Sequence, residues 1–117
     1  MKSKDTGNLG EKIASDFLVK KGFTLLFHNW RYKQYEIDLI AQKENRLHII
    51  EVKTRNGGKF GLPEESISTK KMNALKKAAA IFLELNTAYK QLQIDVIAIV
   101  LHPGKAPEIM LIEDVFF

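Results

Sequence analysis

The sequence of 117 residues contains no cysteine. This absence excludes disulfides, thiolate nucleophiles and zinc sites built from cysteine. Long apolar runs are also missing, because no stretch approaches the roughly 18 apolar residues that a membrane helix needs. The opening residues, MKSKDTGN, lack the apolar segment of a signal peptide. We therefore expect a protein that works in the cytoplasm and does not bind membranes.

The composition, with 45% hydrophobic and 27% charged residues, is that of an ordinary globular protein. The length suits one domain over residues 1–117, since two independent cores would need a longer chain. The formal net charge of +4 is compatible with an anionic partner such as nucleic acid, although many basic domains have no such partner.

Apolar periodicity and turn residues divide the chain into helices and strands. The pattern predicts a helix over residues 8–21, strands over 23–30, 36–42 and 47–54, a glycine-rich loop over 56–66, a second helix over 69–86, and strands over 92–101 and 107–114. The order α-β-β-β-α-β-β predicts an α/β fold in which a mixed sheet of four to five strands is flanked by helices.

Four charged residues interrupt the predicted hairpin YEIDLIAQKENRLHIIEVKTR, where burial of charge is costly unless it is compensated. A two-residue turn at positions 44–45 would set Asp38 opposite Glu51, and Glu36 opposite Lys53. All four side chains would then lie on one face of the hairpin.

Two carboxylates opposed across a ladder, roughly 5 Å apart at an effective dielectric of about 20, repel each other by roughly 3 kcal/mol. A hard divalent ion, Mg²⁺ or Mn²⁺, between Asp38 and Glu51 would remove the repulsion, with the Val52 carbonyl as a further ligand. Lys53 would then assist an attacking water or a phosphate oxygen. The alternative is that the charges end a strand in solvent, with Glu36 and Lys53 in a surface ion pair.

The segments EIDLIA and IIEVKTR, together with GNLGEKIASDFLVKKGF before them and IDVIAI after them, resemble the YraN-like family of small uncharacterised bacterial proteins. That family is similar to archaeal Holliday junction resolvases, within the PD-(D/E)XK or restriction-endonuclease-like superfamily. The resemblance implies a restriction-endonuclease-like core and a Mg²⁺-dependent nuclease site formed by Asp38, Glu51 and Lys53. Ile37 stands where the superfamily motif has proline.

Two further acidic residues have open roles. Glu11 lies three residues after Asn8, which is the spacing of a helix capping box, whereas the resemblance implies a glutamate that approaches the metal. Asp95 interrupts an apolar strand, and it is either an additional polar residue of the site or a buried carboxylate with hydrogen-bond partners.

Cations near the proposed site are candidates for phosphate contacts, which would make binding strongly dependent on salt. The candidates are Arg31, Arg55, Lys70 and Lys71, with Lys70 favoured because it lies at the start of the second helix. The leading hypothesis is a metal-dependent nuclease that hydrolyses DNA, including structured or branched DNA. The alternatives are a nucleic-acid-binding module without turnover and a metal-dependent nucleotide phosphohydrolase.

The sequence leaves the oligomeric state open. The terminal DVFF segment suits a homodimer interface, as the resolvase relatives form symmetric dimers, and it suits packing against the core equally well.

Overall fold

The computed structural model describes residues 3–57 and 68–115, with side chains from Gly7 onward in the first segment. The elements in chain order are α1 (Ser3–Lys20), β1 (Thr24–Tyr32), β2 (Tyr35–Lys43), β3 (Arg46–Asn56), α2 (Thr69–Leu85), β4 (Leu92–Leu101) and β5 (Glu108–Ile112). The predicted α/β order is confirmed. Most of the predicted loop over 56–66, and the last two residues of the DVFF segment, lie outside the described residues.

The five strands form one sheet in the spatial order β1-β2-β3-β4-β5. Strands β3 and β4 are parallel, and the other neighbouring pairs are antiparallel. A parallel pair needs a crossover connection, and α2 lies in the connection between β3 and β4. The predicted mixed sheet is therefore confirmed, and the crossover brings the start of α2 close to β3.

Helix α1 covers one face of the sheet. Ala14 and Leu18, four residues apart, are fully buried in a cluster with apolar side chains of β2, β3 and β4. The helix ends in a Schellman motif: Gly22 has a positive φ of 94°, and the amide of Phe23 donates to the carbonyl of Leu18. The helix begins at Ser3, which is earlier than predicted and places Asn8 inside it.

Helix α2 covers the opposite face with Leu75, Ala79 and Phe82, which are buried against β2, β3 and β4. Ser68 caps the helix, because its hydroxyl accepts a hydrogen bond from the Lys71 amide at 3.1 Å. Within residues 3–57 and 68–115, neither helix is both long and apolar enough to cross a membrane.

The β2–β3 hairpin has the predicted turn and register over its first half. Both turn residues, Glu44 and Asn45, have positive φ, as a two-residue hairpin turn requires. The ladder runs from the pair next to the turn to Leu39 and Ile50. Pairing stops there, one residue before the acidic side chains.

Asp38 and Glu51 are therefore not ladder partners, and the prediction of direct opposition was wrong at this point. The prediction that Glu36 lies opposite Lys53 was also wrong, because the β2–β3 ladder does not reach Glu36, whose ladder partner is Arg31 of β1. Divergence of the two strands makes room between them for side chains from outside the hairpin.

Candidate functional site

A pocket of about 200 Å³ opens where β2 and β3 stop pairing, next to the first turns of α2. The acidic side chains of both strands line it together with residues of the helix. The lining residues are Gln34, Tyr35, Glu36, Asp38, Glu51, Lys71, Ala74 and Leu75. The pocket thus contains two of the residues predicted as metal ligands.

Asp38 bridges the gap at the end of the hairpin ladder. Its Oδ2 accepts a hydrogen bond of 2.9 Å from the backbone amide of Val52. A side chain therefore satisfies a donor in the region where the regular ladder has ended. This bond fixes the carboxylate of Asp38 beside the backbone that follows Glu51. A ligand role for the Val52 carbonyl stays a prediction.

Glu51 is buried, with only 3% of the residue exposed. Its Oε2 lies 2.7 Å from Nζ of Lys71, which reaches down from the first turn of α2. This ion pair is asymmetric, because the Lys71 side chain is 48% exposed and that of Glu51 only 4%. The ammonium that contacts the buried glutamate directly therefore comes from helix α2, and Lys53 of the hairpin adds a weaker compensating charge.

Burial, followed by the negative charge of Asp38, raises the pKa of Glu51 to about 7, although Lys71 and Lys53 act in the opposite direction. Burial lowers the pKa of Lys71, but the hydrogen bond and charge of Glu51 outweigh it and the net shift is upward. Carboxyl groups whose pKa values approach neutrality are enriched at functional sites, because catalysis uses groups whose pKa lies near the working pH.

Lys53 extends from β3 towards the same charges. Burial, and then the nearby Lys71 ammonium, lower the pKa of Lys53, while Glu51 acts to raise it. Lys53 therefore has Glu51 and Lys71 as electrostatic neighbours. The predicted association of Lys53 with Glu51 is present, although Lys53 is outside the residues that line the pocket.

Glu11 approaches the site from α1. Burial, followed by the charge of Asp38, raises its pKa, and a hydrogen bond with the Asn29 side chain lowers it. The capping-box alternative was wrong, because Asn8 lies inside α1 and not at its start. Glu11 is held close to the sheet by Gly10, where an added Cβ would collide with the hydroxyl oxygen of Thr54.

The predicted phosphate-binding cations occupy different positions. Arg31 forms an exposed ion pair with Glu36 at 3.1 Å, and Arg55 is exposed near the end of β3. Lys70, which was favoured, is exposed and does not line the pocket, whereas Lys71 does. Whether any of them contacts nucleic acid stays a prediction.

Sequence reasoning named Lys71 as a candidate phosphate contact and so missed its bond to Glu51. The signal was present, because Lys71 precedes the buried Leu75 by four residues and therefore lies on the side of α2 that faces the sheet. The contribution of Asn29 was also missed. Asn29 has a positive φ of 51° within β1, and the pattern of apolar residues gives no sign of that irregularity.

Asp95 belongs to a separate buried group. It is fully buried, its Oδ2 accepts from Nδ1 of His48 at 2.7 Å, and its Oδ1 accepts from the Gln93 side chain and from the amide of Asp114. The alternative of a buried, hydrogen-bonded carboxylate is thus confirmed. Metal-ligating atoms of His48, Asp95 and Glu113 lie within 4.8 Å of one another, but both oxygens of Asp95 already have partners.

Within the part of the chain that the structure describes, Glu11, Asp38 and Glu51 do not form an equally tight group. Their oxygen donors nevertheless suit a hard divalent cation such as Mg²⁺ or Mn²⁺. The pocket beside Asp38 and Glu51 is large enough for an ion with several waters. The donor set therefore fits such an ion.

The order of elements and the acidic residues at the divergent end of the hairpin define an α/β protein with the architecture expected of a restriction-endonuclease-like core. Residues 10–99 match the model of "Uncharacterised protein family UPF0102". The chain belongs to this family, which agrees with its resemblance to YraN-like proteins.

Three relatives illustrate how much of the chain the family covers. A UPF0102 protein of Flavobacterium psychrophilum is 40% identical, with 97% of this chain and 94% of the relative aligned. The UPF0102 protein of Caldicellulosiruptor bescii is 38% identical, and that of Natranaerobius thermophilus 42% identical, over 99% of this chain and 100% of each relative. The similarity therefore includes α1 with Glu11 as well as the hairpin and α2.

Proposed function

We propose that this protein is a metal-dependent nuclease that hydrolyses phosphodiester bonds in DNA, including structured or branched DNA. The observation that supports it most is the convergence of Asp38 and Glu51 on one pocket, with Glu11 and Lys53 as close electrostatic neighbours. A buried carboxylate beside a second, partly buried one is costly, and ligation of a cation is a physical reason for keeping the pair.

Asp38 and Glu51 would hold Mg²⁺ or Mn²⁺, with the Val52 carbonyl as a further donor and Glu11 as a more distant member of the site. When bound, such an ion polarises a phosphate oxygen and lowers the pKa of a coordinated water. The hydrogen bond from the Val52 amide orients Asp38. Burial holds Glu51 in place, so that little reorganisation is needed when the site is used.

Lys53 is proposed to orient the attacking water or to stabilise negative charge on the phosphate. Its lowered pKa and its position between acidic and basic neighbours suit both roles. The ammonium group would act through hydrogen bonds and charge, and it would not need to contact the metal. Loss of Lys53 should therefore affect catalysis more than metal binding.

DNA is the proposed partner because the chain carries a net charge of +4 and has exposed cations near the site. Arg55 and Lys70 are exposed and are proposed to contact phosphates outside the pocket. Arg31 would join them once its ion pair with Glu36 opens. We also propose that the protein acts in the cytoplasm, since a chain without cysteine is compatible with reducing conditions.

The test is a cleavage assay on labelled duplex, nicked, flap and junction DNA with Mg²⁺ or Mn²⁺. Wild-type protein is compared with Asp38→Asn and Lys53→Met, and with Lys77→Met as a matched control on the exposed side of α2. We expect both site variants to lose cleavage by about 100-fold or more, as removal of a positioned catalytic group does. The control should cleave as wild type does.

Metal binding, measured by calorimetry without DNA, separates the proposed metal-ligand role of Asp38 from the proposed catalytic role of Lys53. Asp38→Asn should weaken it, and Lys53→Met should retain it. If both site variants cleave at the wild-type rate, the assigned site is wrong. Salt-sensitive DNA binding without cleavage of any substrate would identify a nucleic-acid-binding module, and cleavage of free nucleotides alone would identify a phosphohydrolase.

A further inference from the structure

The side chain of Lys71 joins two elements that are far apart in sequence. Its backbone is fixed by the Ser68 cap in the first turn of α2, and its ammonium lies 2.7 Å from Oε2 of Glu51 on β3. The backbone position therefore does not depend on the ion pair. Since nearly half of the side chain is exposed, Lys71 can leave Glu51 for water without disturbing the buried residues of α2.

The ammonium of Lys71 lies beside the carboxylates that are proposed to hold a divalent cation. It contacts a carboxylate oxygen of Glu51, experiences the charge of Asp38, and lines the same pocket as both. A divalent cation that coordinates Oε2 of Glu51 would compete with the Lys71 ammonium, 2.7 Å away, for the negative charge of that oxygen. Two cations at one buried oxygen would also repel each other.

We propose that Lys71 is a displaceable counter-ion: it neutralises Glu51 in the metal-free protein and leaves when a divalent cation binds. Lys71 and the metal thus compete for one carboxylate. This inference rests on the proposed metal site at Asp38 and Glu51. It adds that Lys71 stabilises the metal-free site and is released into solvent when the metal binds, where its charge would face an anionic substrate.

The first experiment measures the affinity of the 117-residue chain for Mg²⁺ and for Mn²⁺ by calorimetry, without nucleic acid. Lys71→Met removes the competing charge and keeps a side chain of similar length. Lys77→Met makes the same change at an exposed position further along α2. At alkaline pH, where Glu51 is ionised in both proteins, we expect Lys71→Met to bind either ion about fivefold to tenfold more tightly than wild type, which corresponds to a partly exposed ion pair worth roughly 1 kcal/mol. Lys77→Met should match wild type.

The second experiment uses the unmodified protein, in case Lys71→Met leaves Glu51 without a partner and fails to fold. Lysines are labelled with an amine-specific reagent, and the rate at each position is followed by mass spectrometry with and without Mn²⁺. Lys71 should be labelled severalfold faster in the presence of metal, because its ammonium is released. Lys77 serves as the internal reference and should not change.

The outcomes separate the inference from the function on which it rests. If metal binds wild type and Lys71→Met equally well, or if labelling of Lys71 is unaffected by metal, the inference is wrong while the metal site stands. If neither wild type nor Lys71→Met binds Mg²⁺ or Mn²⁺, the proposed metal site fails and the inference fails with it.

Discussion

Replacement of Glu51 by glutamine should stabilise the metal-free protein at alkaline pH. The carboxyl group is buried beside Asp38, and its pKa is raised from 4.5 to about 7. Glutamine has nearly the same shape and cannot ionise, so it avoids the cost of a buried charge. Lys71 would lose its partner, but it is half exposed and can be solvated by water.

The sign and the size of the stabilisation expected for Glu51→Gln follow from proton linkage. At a pH between the pKa of Glu51 in the unfolded protein and its pKa in the folded protein, the folded state binds more protons at Glu51 than the unfolded state does. The free energy of unfolding of the wild type therefore falls as the pH rises through this range. The full difference in pKa corresponds to a loss of wild-type stability of about 3 kcal/mol. This loss applies above pH 7, and it shrinks to less than about 1 kcal/mol near pH 5. Glu51→Gln should therefore gain about 3 kcal/mol over wild type at pH 8.

The assay is urea unfolding of both proteins without divalent metal, at several pH values from 5 to 8. Glu84→Gln, at an exposed position of α2, provides the matched control and should follow the wild-type curve. If the difference in free energy of unfolding between Glu51→Gln and wild type does not grow as the pH rises, ionisation of Glu51 does not destabilise the protein. The electrostatic description of the pocket would then be wrong.

Two further substitutions test how the site is supported. Gly10→Ala should destabilise the protein by about 1–3 kcal/mol, because the new methyl group would collide with Thr54. Thermal unfolding measures this, and Thr54→Ala in the same chain should restore part of the loss. Asp95→Asn should cost about 3 kcal/mol by breaking the buried pair with His48. Because Asp95 has a structural role, the folded fraction should retain its metal affinity. A loss of metal affinity in folded Asp95→Asn would instead place Asp95 in the site.

The order of elements was predictable because each has a strong local signal. Ala14 and Leu18 are spaced for one helical face, Gly22 ends that helix, and the turn at positions 44–45 fixes the register of the hairpin. These signals depend on neighbours in sequence, which is why they could be interpreted without a structure. The start of α1 was less predictable, since its first turns lack a marked apolar stripe.

The geometry of the site was only partly predictable. The acidic residues were identified because charge is unusual within apolar strands. The sequence did not predict that pairing between β2 and β3 ends at Leu39 and Ile50. Where two strands diverge depends on the packing of the whole sheet, and here a side chain, Asp38, takes over as acceptor for the amide of Val52. The bond between Lys71 and Glu51 joins residues 20 positions apart. To predict it from the sequence, one would need to know where the crossover helix begins.

The most direct test of the proposed nuclease is metal-dependent cleavage of the DNA panel by wild-type protein and by Glu51→Gln, at low and at physiological salt. We expect wild type to cleave at least one structure when Mg²⁺ or Mn²⁺ is present and not when it is chelated. The stable Glu51→Gln variant should bind the same DNA without cutting it. Equal cleavage by both proteins, or no cleavage by wild type of any structure with either metal, would contradict the proposal.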